Sequence, residues 1–225
     1  MNFSDPVSER NMLLYIKIFF KYYTGIILKP GRNFQALLED NHRLLYGFIA
    51  VSIGVILYTL VYVFLTIGGA APSVFTPWLN IPKNEYYFYN QFILAPSIYI
   101  CWILASGIAQ LCSILVTGKG NYEDTLSVLG FGIGIATLAS LIHDLPDALF
   151  GAVGLLDLQQ YEIVLNSPTI WRFILLMLYS ISAIWFVVLF SKGVMAVHHL
   201  KKMQSVIIGL FSYIIYQGFF LIFNR

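Results

Sequence analysis

Three ionisable side chains, His143, Asp144 and Asp147, stand together at the end of an apolar stretch, and their types point to a cation or proton site. Two carboxylates three residues apart share a helical face. An imidazole changes charge near neutral pH, and ionisable groups in a membrane segment are functional candidates by default. Pro146 stands between the acids and removes a helical N–H, so the sequence predicts that the helix ends there and leaves the acids at an interface. Two readings stay open on these residues: an ion or proton site, and a solvated helix terminus. Residues 148–156 follow as a nine-residue apolar run, too short to span a bilayer, that would re-enter or lie flat.

Other candidates are weaker. Gly130 and Gly134 lie four apart in GFGIGIA, residues 130–136, a spacing that lets two helices approach closely; a gating hinge is the other reading. They are not a nucleotide loop, which follows a strand. Gln110, with Ser106 and Ser113 nearby, is expected to hydrogen-bond a neighbouring helix. His198 and His199 adjoin Lys201 and Lys202. Adjacent histidines point to different helix faces and chelate poorly, so this group reads as membrane-surface contacts, as do Lys17 and Lys21. Cys101 and Cys112 are about 16 Å apart along a helix, too far to bridge. There is no H-E-x-x-H, no G-x-S-x-G and no closed zinc spacing. The expectation is therefore a protein that is not an enzyme, with no cofactor and no assigned metal site.

The elements that must carry these residues cross a bilayer. Leu44–Ile67, Phe92–Thr117, Thr125–Ile142, Phe173–Ser191 and Gln204–Phe223 are uncharged apolar stretches, and about 20 such residues cross the hydrocarbon. Hydrophobic residues make up 59% of the chain and charged ones 11%, against roughly 25% charged in soluble domains. The sequence thus predicts an all-α, polytopic membrane helical bundle of five transmembrane helices, residues 44–225. Amphipathic interfacial helices precede it in residues 1–43. The net charge of +2 without a long basic run speaks against nucleic acid.

Lysines and arginines sort by side. Arg10, Lys17, Lys21, Lys29, Arg32, Arg43, Lys119, Lys192, Lys201 and Lys202 fall on one side of the five spans; only Lys83, Arg172 and Arg225 fall on the other. The positive-inside rule then places the N-terminus in the cytoplasm and the C-terminus outside. On the outer side Pro72, Phe75, Pro77, Trp78, Pro82 and Tyr86–Tyr89 read as an aromatic belt in which proline discourages a regular helix.

Residues 10–28 are read in two ways. Arg10, Lys17, Lys21 and Thr24 form a narrow stripe on an otherwise apolar helix. Lysines at the bilayer centre would cost about 2.5–3.5 kcal/mol each, which favours an interfacial helix over a sixth span. Lys29-Pro30-Gly31 breaks it, and Asn33 can cap a second short helix with Phe34, Leu37 and Leu38 on one face.

Three stretches carry a family resemblance: KPGRNFQALLEDNHRLLYGF (29–48), GKGNYEDTLSVLGFG (118–132) and IWFVVLFSKGVMAVHHL (184–200). Together they resemble the Yip family (Ypt/Rab-interacting, the Yip-one domain) across roughly residues 29–223, in a form similar to its prokaryotic-type members. The resemblance implies an integral membrane scaffold or adaptor that organises partners or shapes the bilayer. Eukaryotic members of the family engage prenylated Rab GTPases. Their cytoplasmic leaders are commonly longer than the one here, which speaks against a Rab-type GTPase partner. Membrane lipids, a second copy or other membrane proteins are the expected partners. A lipid or small-solute transporter or channel, working through a groove between the spans, stands as the alternative.

Overall fold

A computed structural model describes residues 6–72 and 81–224, with backbone alone for 6–11. Phe75, Pro77, Trp78 and Arg225 from the readings above lie outside the described residues, as does the Arg10 side chain. The helices in chain order are α1 (Pro6–Leu28), α2 (Pro30–Leu38), α3 (Arg43–Ile67), α4 (Tyr86–Leu115), α5 (Tyr122–Ala152), α6 (Leu158–Asn166), α7 (Ile170–His198) and α8 (Lys202–Asn224). Among the described residues there is no strand. Five of the helices, α3, α4, α5, α7 and α8, are long and apolar enough to cross a membrane.

Helix α5 is the centre of the bundle. In its most apolar window 72% is buried, against 22–44% in the other four long helices. Small residues make this position available. A Cβ on Gly130 would come within 2.7 Å of the Gly47 carbonyl oxygen of α3, and one on Gly134 would collide with the Ala50 carbonyl. On another face of α5, Gly132 meets the Phe190 ring of α7. Close backbone approach replaces the hydrophobic drive that lipid does not supply between helices. Helices α3, α4 and α7 pack against α5, and α8 packs against α4 and α7.

The starts of α3, α5 and α8 meet the ends of α4 and α7 at one end of the bundle. There Arg43 pairs with Asp124, and Gly120 meets both Gln110 and His198. We call this the hairpin end, because α1 and α2 dock on it. Tyr15 packs against His42, Phe19 against Tyr46 and Phe131 with tilted rings, and the Tyr22 hydroxyl reaches Asp40. Among the described residues α1 is not one of the helices long and apolar enough to cross a membrane.

The apolar side of this hairpin is used differently from the sequence reading. Phe19, Tyr23 and Ile26 are buried against the bundle, and the Tyr23 hydroxyl donates to the Gly134 carbonyl (3.1 Å). Phe34 and Leu37 of α2 are fully buried as well. Asn33 does not cap α2, which begins at Pro30 behind Lys29. Its amide instead donates to the carbonyls of Gly25 (2.8 Å) and Lys29 (2.9 Å), fastening α2 to α1.

Two helix limits also differ. Tyr86–Gln91 is helical, so Pro96 lies inside α4 rather than at its start. Pro146 does not end α5, which runs on to Ala152. A proline's φ suits a helix, and the hydrogen bond it removes is bearable where neighbouring helices pack around it. The apolar run after Asp147 thus begins as the last turn of α5 and then turns at Gly154, φ 76°.

Candidate functional site

The continuity of α5 assembles the first site. With the helix intact, His143 and Asp147 lie at i and i+4, and Asp144 falls on the same side. Helix α3 brings Tyr58 to Asp144, and α7 brings Tyr179, whose hydroxyl donates to Asp144 Oδ1 (3.1 Å). Helix α6 starts at an Asp157 cap and brings Tyr161, which donates to Asp147 Oδ2 (2.8 Å). Burial and the Asp147 carboxylate push the Tyr161 phenol pKa up, so it stays a donor. His143 Nδ1 is 3.1 Å from Asp144 Oδ1, and Nε2 is 3.3 Å from Asp147 Oδ2. Both ring nitrogens face carboxylates, which only accept; the geometry is that of an imidazolium bridging two acids.

These groups line a cavity of ≈ 500 Å³ at the end opposite the hairpin, walled by α3, α4, α5, α7 and α8 with α6 beside it. Ser140 and Ser182 pair across it at 2.9 Å. Ile98, Leu175 and Phe186 add apolar wall. Asn224 lines the same space from α8. Chemically the arrangement can hold a positive charge or pass a proton between carboxylates. Among the described residues no group of three or more His, Cys, Asp or Glu is placed to hold a metal ion.

A second polar cluster sits at the hairpin end and closes on itself. The Gly120 N–H donates to His198 Nδ1 (3.2 Å), so the proton of the neutral ring is on Nε2. Nε2–H donates to Thr125 Oγ1 (3.0 Å), the Thr125 hydroxyl to Gln110 Oε1 (2.7 Å), and Gln110 Nε2 back to the Gly120 carbonyl (2.8 Å). Each ring nitrogen of His198 is engaged, so the cluster ties α4, α5 and α7 together and offers no metal ligand. His198 is 1% exposed, which corrects its reading as a headgroup contact. His199 next to it is exposed and ends α7 in the left-handed conformation, φ 53°.

The remaining sequence candidates are dispersed. Gly130 and Gly134 lie on the α3–α5 contact, away from the ionisable cluster. Lys17 and Lys21 are exposed on α1, two residues out of step with the buried Phe19 and Tyr23. At 100° per residue that puts them on the helix side roughly opposite the bundle. Lys201 and Lys202 are exposed at the hairpin end.

Sequence reasoning missed Tyr58, Tyr161, Tyr179, Thr125 and Asn224. A tyrosine inside an apolar span needs a partner for its hydroxyl, and that was the available signal. Residues 24–223 match the family model of the Yip1 domain. No curated protein and no solved structure matches the chain.

Proposed function

The chain belongs to the Yip1 domain family, and on that premise we propose that it is a membrane scaffold that shapes or organises the bilayer through its α1–α2 hairpin, with no enzymatic activity. One observation carries this reading. The hairpin is locked to the bundle by Phe19, Tyr23, Ile26, Phe34 and Leu37, yet α1 still exposes Leu13, Leu14, Ile16, Phe20 and Leu28. An apolar wedge that sits in one leaflet and cannot swing away transmits its volume to the bilayer. The basic residues gather at the hairpin end, so this end takes the cytoplasmic side and the C-terminus the outer side. Lys17 and Lys21 would then add about 1 kcal/mol each near anionic lipid. Membrane lipids are the partner this reading requires; a second copy or another membrane protein fits it, and a Rab-type GTPase does not enter.

The test is reconstitution into liposomes containing anionic lipid. The protein is expected to reduce vesicle diameter or form tubules in electron micrographs, and the Leu13→Ser/Phe20→Ser variant to lose that effect while still inserting. Undeformed vesicles at high protein-to-lipid ratio would defeat the proposal. Passage of a lipid or small solute is the second reading, and the cavity at the far end is what favours it. Its mark would be protein-dependent flux of a headgroup-labelled lipid between leaflets.

A further inference from the structure

We propose that His143, Asp144 and Asp147 form a pH-operated clasp that fastens α6 against the far-end cavity while the imidazole is protonated and frees it once that proton has passed to water. The first reason is that single oxygens of the two acids serve two partners each. Asp147 Oδ2 lies 3.3 Å from His143 Nε2 and accepts the Tyr161 hydroxyl of α6 at 2.8 Å. Asp144 Oδ1 lies 3.1 Å from His143 Nδ1 and accepts the Tyr179 hydroxyl of α7 at 3.1 Å. The charge on one ring is therefore felt at the oxygens that hold two neighbouring helices.

A neutral imidazole cannot hold this arrangement. It keeps one N–H, so one ring nitrogen turns a lone pair toward a carboxylate oxygen, which only accepts. Two carboxylates on one helical face then lose the cation between them and repel. Asp147 is the acid with room to move. Its side chain is 25% exposed, against 14% for Asp144, which Tyr58 and Tyr179 also hold. Turning Asp147 to water takes the acceptor away from Tyr161.

The second reason is the build of α6. Leu158, Tyr161, Glu162 and Leu165, spaced i, i+3, i+4 and i+7, line the cavity, so one face of this helix forms part of its wall. The other face carries exposed Gln159, Gln160, Ile163 and Val164. Non-helical residues 153–157 and 167–169 flank the helix, and the first stretch turns at Gly154 with φ 76°. Leu158 against Gly151 secures its start. The Arg172 guanidinium secures its end by donating to the Asn166 carbonyl at 2.9 Å. Tyr161 ties the helix to α5 between these two points. Nine residues do not stay helical alone, since isolated helices shorter than about 12–15 residues are marginal in water. Losing the central tie therefore loosens α6 as a helix as well as a wall.

His143 is the member of the set that changes charge near neutrality. Tyr58 and Tyr62 face the cavity from α3, Tyr86 and Tyr87 from α4, and Tyr213 and Tyr216 from α8. Helix α6 adds Tyr161 and Glu162, and α7 adds Tyr179 and Arg172. Phenols as a class titrate at about pH 10, carboxylic acids at about pH 4 and guanidinium above about pH 12, whereas imidazole titrates at about pH 6.5. The closed cluster binds the proton and the open one releases it. The clasp is therefore closed in mild acid and opens as pH rises through the imidazole's titration.

The experiment is hydrogen–deuterium exchange of the full chain in dodecyl maltoside, read by mass spectrometry. Exchange is compared at about pH 6 and about pH 8.5, on either side of an imidazole's titration, and rates are corrected for the intrinsic pH dependence of amide exchange. Amides 161–166 of α6 are expected to exchange at least tenfold faster at the higher pH, while those of residues 125–136 in α5 change less than twofold. His143→Gln is expected to show the fast rate at both pH values, and His143→Lys, which keeps a positive charge, the slow rate at both. Tyr161→Phe leaves the imidazolium in place and is expected to give fast exchange in α6 at both values with the rest of the bundle unchanged. Corrected α6 rates that do not change with pH in the parent overturn the proposal. A parental pH step in either His143 variant, or parental protection in Tyr161→Phe at the lower pH, overturns it as well. Equal loss of protection in both His143 variants would mark a merely structural histidine and likewise overturn the switch.

Discussion

A carboxylate keeps its charge inside an apolar bundle only when donors surround it. Asp144 has three: Tyr58, Tyr179 and His143. The acids themselves are legible in the sequence, because ionisable residues inside apolar runs stand out. Their partners are not, since Tyr179 is 35 positions away and Tyr58 is 86. No local pattern distinguishes these tyrosines from ones that face lipid. The same holds for His198, whose neighbours His199, Lys201 and Lys202 suggest a surface while its own ring closes a buried cycle with Thr125 and Gln110. Thr125→Val tests that cycle. It is nearly isosteric but leaves His198 Nε2–H and Gln110 Oε1 without their mutual partner, at a cost of about 1–3 kcal/mol for each buried group left unsatisfied. We expect a clear drop in the unfolding midpoint. Tyr179→Phe should give a smaller drop, because Asp144 retains Tyr58 and His143. Equal stability of Thr125→Val and the parent would show that the cycle adds nothing.

At the scale of elements, span positions follow from apolar run length, and that information is local. Where a run meets a proline, local information misleads. Pro146 reads as a helix end, but α5 continues because tertiary packing holds its last turns. Leu158 of α6 seats against Gly151, close enough that a Cβ there would meet the Leu158 side chain. This continuity places His143, Asp144 and Asp147 on one helical face. The small-residue spacing at Gly130 and Gly134 gives the tendency to pack but not the partner, which is α3. Gly134→Leu should be strongly destabilising, since even a Cβ collides with the Ala50 backbone, and overpacking of this kind costs about 1–3 kcal/mol or more. Gly218→Ala provides the contrast. It lies inside α8 with nothing within 4 Å of an added Cβ, so the change should be neutral or raise stability by about 0.5–1 kcal/mol. Thermal unfolding of the two variants in the same detergent reads the difference, and similar midpoints would contradict a backbone-to-backbone contact between α3 and α5.

For the whole molecule, charge and packing meet in one asymmetry. The hairpin end gathers the starts of α3, α5 and α8, with exposed Lys17, Lys21, Lys201 and Lys202, and the opposite end carries the acidic cavity. The two ends of a spanning bundle lie on opposite sides of a membrane, and the positive-inside rule predicts the lysine-bearing end on the cytoplasmic side. Not every lysine or arginine counts equally toward that rule. Arg43 is engaged with Asp124 and Glu123, so it also serves as a clasp between α3 and α5. The exposed lysines of the hairpin and loops supply the rest of that charge. A cysteine-free parent, with Cys101 and Cys112 changed to Ser, allows a direct measurement with a membrane-impermeant maleimide. Gln159→Cys, on the exposed side of α6, should label in intact cells. Lys119→Cys, in the loop between α4 and α5, should label only after permeabilisation. If Lys119→Cys labels in intact cells and Gln159→Cys does not, the bundle is inverted. The hairpin would then lie in the outer leaflet, and the far-end cavity would face the cytoplasm.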